Sequence, residues 1–434
     1  MQLAPSTAGT TRVATSSKGT VKDTLRKLAE LTLTHIATFA FPLAFAVLCG
    51  RVLGVHDFGI VSFYTALAAF LGVVIEFGFD WLGIREVSQA SHDQPYCHLM
   101  LYNVTAAKVL ICGVTSCVAV LILWFVRGGG QGILVAAMVL HMVGFAMDVS
   151  WYLRALERTR LLLGITAVTR VAGVVLLWVL MSGKGSMAAA LWSYTFVSVA
   201  NAVIGWGTIA RHGLAGRVRL KWSVIWGLMR RSWAIVFGNL SAALLTNGGV
   251  ALLGFTADPA TVGAANLALR VKMAGQAALL PIKQMAYVRL ASLAHSQRGQ
   301  AVRVARIALA VLLAGGLVIG LAAAWGAELI VHQVFKGDYP VAVGLIMLLG
   351  LSVPLNAAAE MLGMQCLIAF GQERAYALVV ALAACVFCTL LVFVLRGPLA
   401  YGWALLAAEA SLTLMAGLRM RTVLARAQTA ESPS

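Results

Sequence analysis

Twelve stretches of this chain stay apolar for about 20 residues each, the length a helix needs to cross the hydrocarbon core of a bilayer. They fall at 31–50, 58–82, 108–126, 132–153, 161–181, 187–209, 233–255, 262–288, 305–334, 341–370, 376–395 and 399–418. In lipid every backbone polar group must be satisfied within the protein, so spans of this length and composition read as helices. Only 11% of residues are charged, against about 25% in a soluble domain. Mean hydropathy is +0.89. A water-soluble fold cannot hide this much apolar surface.

The position of charge tests the map. Net charge is +17, which by itself would suit nucleic acid. With a cytoplasmic N-terminus, however, 23 of the 33 basic residues fall in inside segments, 5 in outside segments and 5 within spans. That bias follows the positive-inside rule and predicts N-in, C-in topology with no nucleic-acid role. The outside loops are short, which argues against a glycan polymerase or ligase with a large outer domain. Residues 1–28 read as a disordered cytoplasmic tail, with no apolar stretch of the kind a cleavable signal has. Residues 421–434 read as a second tail.

Residues 211–231 form the longest mid-chain connector. Arg217, Arg219, Lys221, Arg230 and Arg231 alternate there with Trp222, Ile225, Trp226 and Leu228. This pattern suits a basic amphipathic segment on an anionic leaflet, or an ordinary basic loop. It separates a six-span half at 29–210 from another at 232–420. A slide of 204 residues sets Gly59 over Gly263, Ile84 over Val288, Arg85 over Arg289 and Ser88 over Ser292. Six-plus-six duplication is a habit of transporters, with the substrate site between the halves.

Ionisable residues within lipid are costly and tend to face a cavity. The eighth run carries Arg270, Lys272, Gln276 and Lys283. At 100° per residue Lys272, Gln276 and Lys283 share one face, a cationic wall suited to an anion. Pro281 is expected to kink this helix. The alternative is pairing of these cations with acids on other helices. Arg170 lies mid-span in the fifth run and reads as cavity-facing, with a buried pair as the alternative. Lys108, near an inner end, reads as an anchor. Among the acids, Glu76, Asp80, Asp148 and Glu360 are candidates for coupling or gating, with pairing to basic residues as the alternative. Arg85 is placed to pair with Asp80. Glu409 is central in the twelfth run. His141 reads as a packed histidine.

The seven cysteines show no metal spacing outside lipid; the CxxC of Cys385 and Cys388 lies inside an apolar run and reads as packing. No Walker motif, Ser/His/Asp set or His-rich cluster stands out, so no resident cofactor, metal or enzymatic activity is expected.

The stretch LCGRVLGVHDFGIVSFYTALAAFLGVVIEFGFDWLGIREVSQ at 48–89 resembles the N-terminal signature of bacterial polysaccharide flippases. The matching residues are Gly54, Asp57, Phe58, Gly59, Phe77, Gly78, Phe79, Asp80 and Arg85. PIKQMAYVRLASLA at 281–294 and VFKGDYPVAVGLIMLLGLSVPLNAAAEMLG at 334–363 are similar to later parts of the same family, with Lys336 and Gly337 a loose match. The resemblance covers most of the span pattern. It implies the multidrug/oligosaccharidyl-lipid/polysaccharide exporter superfamily: an all-α protein with two six-helix bundles around a central cavity. It further implies transfer of undecaprenyl-pyrophosphate-linked repeat units across the bacterial inner membrane, coupled to H+ or Na+. The implied partners are membrane lipid, the lipid-linked glycan, and polymerase and chain-length machinery. The nearest rivals are a drug or cation antiporter of the same superfamily, which predicts an acidic cavity, and a membrane glycosyltransferase or polymerase.

Overall fold

The computed structural model describes residues 41–431 apart from 129, 184, 217, 294–296 and 336–338. The expected N-terminal tail and the start of the first span lie outside the described residues, as do Arg217, Lys336 and Gly337. The described chain is helical almost throughout and contains no strand. Ten of its helices are long and apolar enough to cross a membrane. The first apolar run is described only from Phe41, as α1 (Phe41–Val52).

Several expected spans are broken helices. The second is α2 (Gly54–Glu76) followed by α3 (Phe79–Gln89). Between them Phe77 and Gly78 both adopt left-handed backbone, φ 47° and 70°. Gly78 tolerates this because it has no Cβ, and a Cβ there would also lie 2.8 Å from Ile235. Phe77 has no such freedom; its ring packs among Phe79 and Trp233, which hold the turn in place. The third span is α4 (Gln94–Arg127). The fourth divides into α5 (Gly132–Ala146) and α6 (Ser150–Ala155). The fifth and sixth are α7 (Thr159–Met181) and α8 (Met187–Arg211).

The second half opens with α9 (Trp222–Ala243), a π turn at Leu244–Gly248, and α10 (Gly249–Thr256). The second part of the expected connector, from Trp222, is helical and continues into the seventh span, whose apolar stretch begins at Ile235; Asn103 Oδ1 accepts the Lys221 N–H at 2.9 Å and fixes the helix start against α4. The eighth span is α11 (Pro259–Ala278) and α12 (Leu280–Leu293), broken at Leu279, two residues before Pro281. Then follow α13 (Arg298–Trp325), α14 (Ala327–Leu329) with a π turn at Ile330–Phe335, and α15 (Pro340–Glu360) with a π turn at Met361–Leu367. The last two are α16 (Glu373–Thr389) and α17 (Ala400–Glu431).

The two halves are built alike. In the first, α5 packs on α8 and α7 on α8; in the second, α15 packs on α17 and α16 on α17. The slide of 204 residues also brings the helix breaks close together: Phe77 falls on Pro281, two residues after the break at Leu279. Moreover, equivalent residues touch. Asn266 donates through Nδ2 to Ser62 Oγ at 2.9 Å, and these residues are 204 apart. A Cβ on Gly263 would lie 3.2 Å from the Gly59 backbone, and one on Gly59 would lie 1.7 Å from the Pro259 carbonyl oxygen. Only glycine permits this approach, the means by which helices associate closely in lipid. A pseudo-twofold axis therefore passes between α2 and α11.

Contact between the halves is concentrated at the end that bears the short loops. Arg127 donates to the Gly254 carbonyl at 2.6 Å and covers the Phe63 ring. Tyr339 donates to the Gly50 carbonyl at 2.9 Å. Burial follows the same gradient. Along α2 every residue from Phe58 to Ala68 is buried, and along α11 every residue from Thr261 to Leu269; beyond Ala69 and Arg270 both helices begin to show a face. Toward the opposite, basic end α12 packs on second-half helices, and α3 packs on α4 and α6 of its own half and on α9 of the other. There α9 crosses the seam, burying Ile225 and Leu228 against first-half residues and donating through Arg231 to Glu86 at 2.8 Å.

Candidate substrate site

The fully buried stretches of α2 and α11 end near mid-span, before Ala69 and Arg270. Arg270 sits there, eleven residues into α11, or ~16 Å from its start at a helical rise of ~1.5 Å per residue. Its guanidinium donates to Asn247 Oδ1 at 3.3 Å and lies 4.0 Å from Met273 Sδ. Arg170 is eleven residues into α7, at similar depth. Its guanidinium stands 5.7 Å over the Phe41 ring, a cation–π arrangement. Among the described residues neither arginine has a carboxylate within ion-pair distance. Tyr194 of α8 lies within electrostatic reach of both. The His141 ring packs on Tyr194 in a tilted arrangement, centroids 4.7 Å apart.

The remaining intramembrane cations differ. Lys272 donates to Glu409 Oε1, both residues being buried, and Asn356 Nδ2 donates to the same oxygen at 3.3 Å. Lys283 donates to Glu360 Oε2. The expected cationic wall of Lys272, Gln276 and Lys283 is therefore corrected. The helix break after Ala278 interrupts the stripe, and each lysine ends on an acid from another helix. Gln276 keeps a buried amide nitrogen with no partner among the described residues. Nearby, Glu409 Oε2, Asn356 Oδ1 and the Tyr401 hydroxyl are likewise unsatisfied.

In the first half, Asp80 accepts from Lys108 at 2.5 Å and from Arg154 at 3.1 Å. This overturns the expected Arg85–Asp80 pair. The turn at Phe77–Gly78 resets the helical phase and points Asp80 at α4 and α6, while Arg85 stays exposed. Lys108, expected as a membrane-edge anchor, is only 2% exposed. Asp148 accepts from Ser150 Oγ at 2.8 Å and Asn201 Nδ2 at 2.6 Å and has no ion pair among the described residues. Glu76, on the last turn of α2, has neither ion pair nor hydrogen bond among them; Asp80, Lys108, Arg154 and Asp148 surround it at longer range. No group of three or more His, Cys, Asp or Glu that could hold a metal occurs among the described residues.

Sequence reasoning overlooked Tyr194, Asn247 and Tyr401. The one available signal was a polar residue interrupting an apolar run, as in LLTNGG at 244–249.

Two helical bundles that close on each other at the short-loop end, with an arginine from each near mid-span, define a multi-pass membrane protein. Solved structures share this fold. The chain superposes on "Lipid II flippase MurJ, inward closed conformation" with TM-score 0.70 at 12% identity, over 90% of this chain and 87% of that one. An inward-facing multidrug resistance MATE family transporter of the MOP superfamily gives 0.66 at 11% identity, over 94% and 100%. The outward-facing form of a transporter of that description gives 0.54 at 14% identity, over 94% and 97%. The family model described as "Polysaccharide biosynthesis protein" matches residues 24–293, more than half the chain. The chain belongs to that family. A "Putative O-antigen transporter" of Escherichia coli (strain K12) is 21% identical over 369 residues, 85% of this chain and 89% of that protein. One of the same name from Shigella dysenteriae is 23% identical over 272 residues, 62% and 67%.

Proposed function

We propose that the chain flips a lipid-linked oligosaccharide, carried on undecaprenyl pyrophosphate, from the cytoplasmic to the periplasmic leaflet of the bacterial inner membrane. The observation that carries this reading is the pair of mid-span arginines, one from each half, with no carboxylate within ion-pair distance among the described residues. A diphosphate is a dense anion, and guanidinium forks suit its oxygens. The sugar would occupy the aqueous space between the two bundles while the prenyl tail stays in lipid. With the basic end cytoplasmic, as the charge bias predicts, the conformation described here faces the cytoplasm. Closing that end and opening the other would deliver the glycan outward, for a polymerase to extend.

Glu76 and Asp148 are the carboxylates suited to take up a coupling H+ or Na+, since neither is committed to a salt bridge among the described residues. Asp80 and Glu360, already paired, would act in gating by exchanging partners. A cation antiporter would want net negative charge near mid-span, and the two arginines disfavour it. The test is deletion of the gene in its host, followed by quantification of undecaprenyl-linked glycans on each membrane face. Complete repeat units accumulating on the cytoplasmic face, with loss of surface polysaccharide, are expected. Normal surface polysaccharide without such accumulation, in a host lacking a second flippase, would overturn the reading.

A further inference from the structure

We propose that Asn247 is a positioning residue that aims Arg270 while leaving its charge uncompensated for an anionic headgroup. The proposal rests on the lipid diphosphate reading above and deepens it. Its starting point is a contrast. Lys108 and Arg154 end on Asp80, Lys272 on Glu409 and Lys283 on Glu360. That is the expected solution, because a buried cation without a counter-charge is costly. Arg270 departs from it: its polar contacts are an amide oxygen at 3.3 Å and a thioether sulfur at 4.0 Å. Both hold the guanidinium and neither discharges it. Tyr401 and Tyr194, the other groups within electrostatic reach, are neutral phenols.

The backbone makes a special provision for Asn247. It lies in the π turn at Leu244–Gly248, where Thr246 leaves helical conformation at φ −124°, ψ −114°. That kink re-aims the side chains that follow relative to a continuous α-helix. The turn is held from both sides. A Cβ on Gly248 would lie 2.6 Å from Phe70 of the first half, and one on Gly249 would lie 2.6 Å from Phe387 of the second. Asn247 is therefore wedged at the seam of the two bundles, with its amide directed at Arg270. A carboxylate could occupy the same volume and would bond the arginine more strongly. The chain uses the isosteric neutral group instead.

This gives an ordering that a purely structural role reverses. Asn247→Asp should form the ion pair, raise the melting temperature and weaken headgroup binding by at least about tenfold, since the diphosphate must now displace a tethered carboxylate. Asn247→Ala keeps the positive charge but frees the side chain, and should lose only severalfold. The experiment uses the purified full-length protein in nanodiscs, with undecaprenyl diphosphate as probe and uncharged undecaprenol as control, and with melting temperatures read on the same samples. Undecaprenol should bind all three proteins alike. A wild-type protein that binds the diphosphate no better than undecaprenol would overturn the functional reading and this proposal with it. Wild-type preference for the diphosphate, combined with Asn247→Asp binding as well as or better than Asn247→Ala, would overturn this proposal alone. So would a melting temperature of Asn247→Asp below that of Asn247→Ala.

Discussion

A lysine and a glutamate that face each other inside a bilayer stabilise the fold less than they constrain it. Both Lys272 and Glu409 are buried, with side chains 3% and 4% exposed. Lys272→Met would strand the carboxylate in apolar surroundings, at a cost of about 3–5 kcal/mol. Lys272→Met with Glu409→Leu should recover most of that loss, because neither charge is left alone. Thermal unfolding of the single and double variants checks this, and equal destabilisation of both would contradict it. The same pair marks the limit of the sequence at this scale. Lys272 and Lys283 stand out as charges in an apolar run. Their partners lie 137 and 77 residues further along the chain, and one sequence contains no signal that joins them. Arg170 was legible as a mid-span cation; Asn247 was not, because its importance comes from a local π turn that periodicity does not forecast.

At the scale of the element, the span map predicts where helices run but not where they break. Pro281 announced the break in the eighth span. The matching break at Phe77–Gly78 is set by two left-handed residues whose strain is held by packing against Trp233. The consequence is α3, a short helix tied to α9 by Glu86. That carboxylate accepts from Tyr96 at 2.6 Å and from Arg231 at 2.8 Å. The Tyr96 hydrogen bond, more than the charge of Arg231, holds its pKa below the usual glutamate value despite some desolvation. The folded-state pKa is depressed, so the clasp contributes fully above the ordinary glutamate range. It fades as pH falls through the folded value, below about 4.3. Glu86→Gln should flatten that part of the stability–pH profile; an unchanged profile would rule the clasp out. At the other end of α2, Gly59→Leu would drive a side chain into the Pro259 carbonyl. The short-loop end could then not close. Cysteine-accessibility labelling should show that end opened to solvent, and unaltered labelling would refute its role as the seal.

For the whole molecule, alternating access requires that contacts made at one end be broken as the other end closes. The meeting of Ser62 and Asn266 offers a direct handle. In a background freed of the seven native cysteines, Ser62→Cys with Asn266→Cys should be joined by a short thiol crosslinker. Transport should stop, and a reducible linker should restore it on cleavage. Full transport by the crosslinked protein would exclude separation of α2 from α11. The all-helical, many-span fold class could be read from apolar spacing and charge alternation, and a weak internal repeat pointed to two related halves. The state of the transporter could not, because it is a relation between distant helices and each helix is equally content in either state.

The twofold relation between the halves carries one more consequence. On the axis, Gly59 answers Gly263 and Ser62 answers Asn266, small or polar against small or polar. A turn further on the likeness stops: the counterpart of Arg270 is Ala66, and the first half sets its own arginine, Arg170, on α7 instead. A symmetric frame thus holds two charges that its axis does not relate, so a molecule with one charged end that entered between the halves would meet each guanidinium from a different direction.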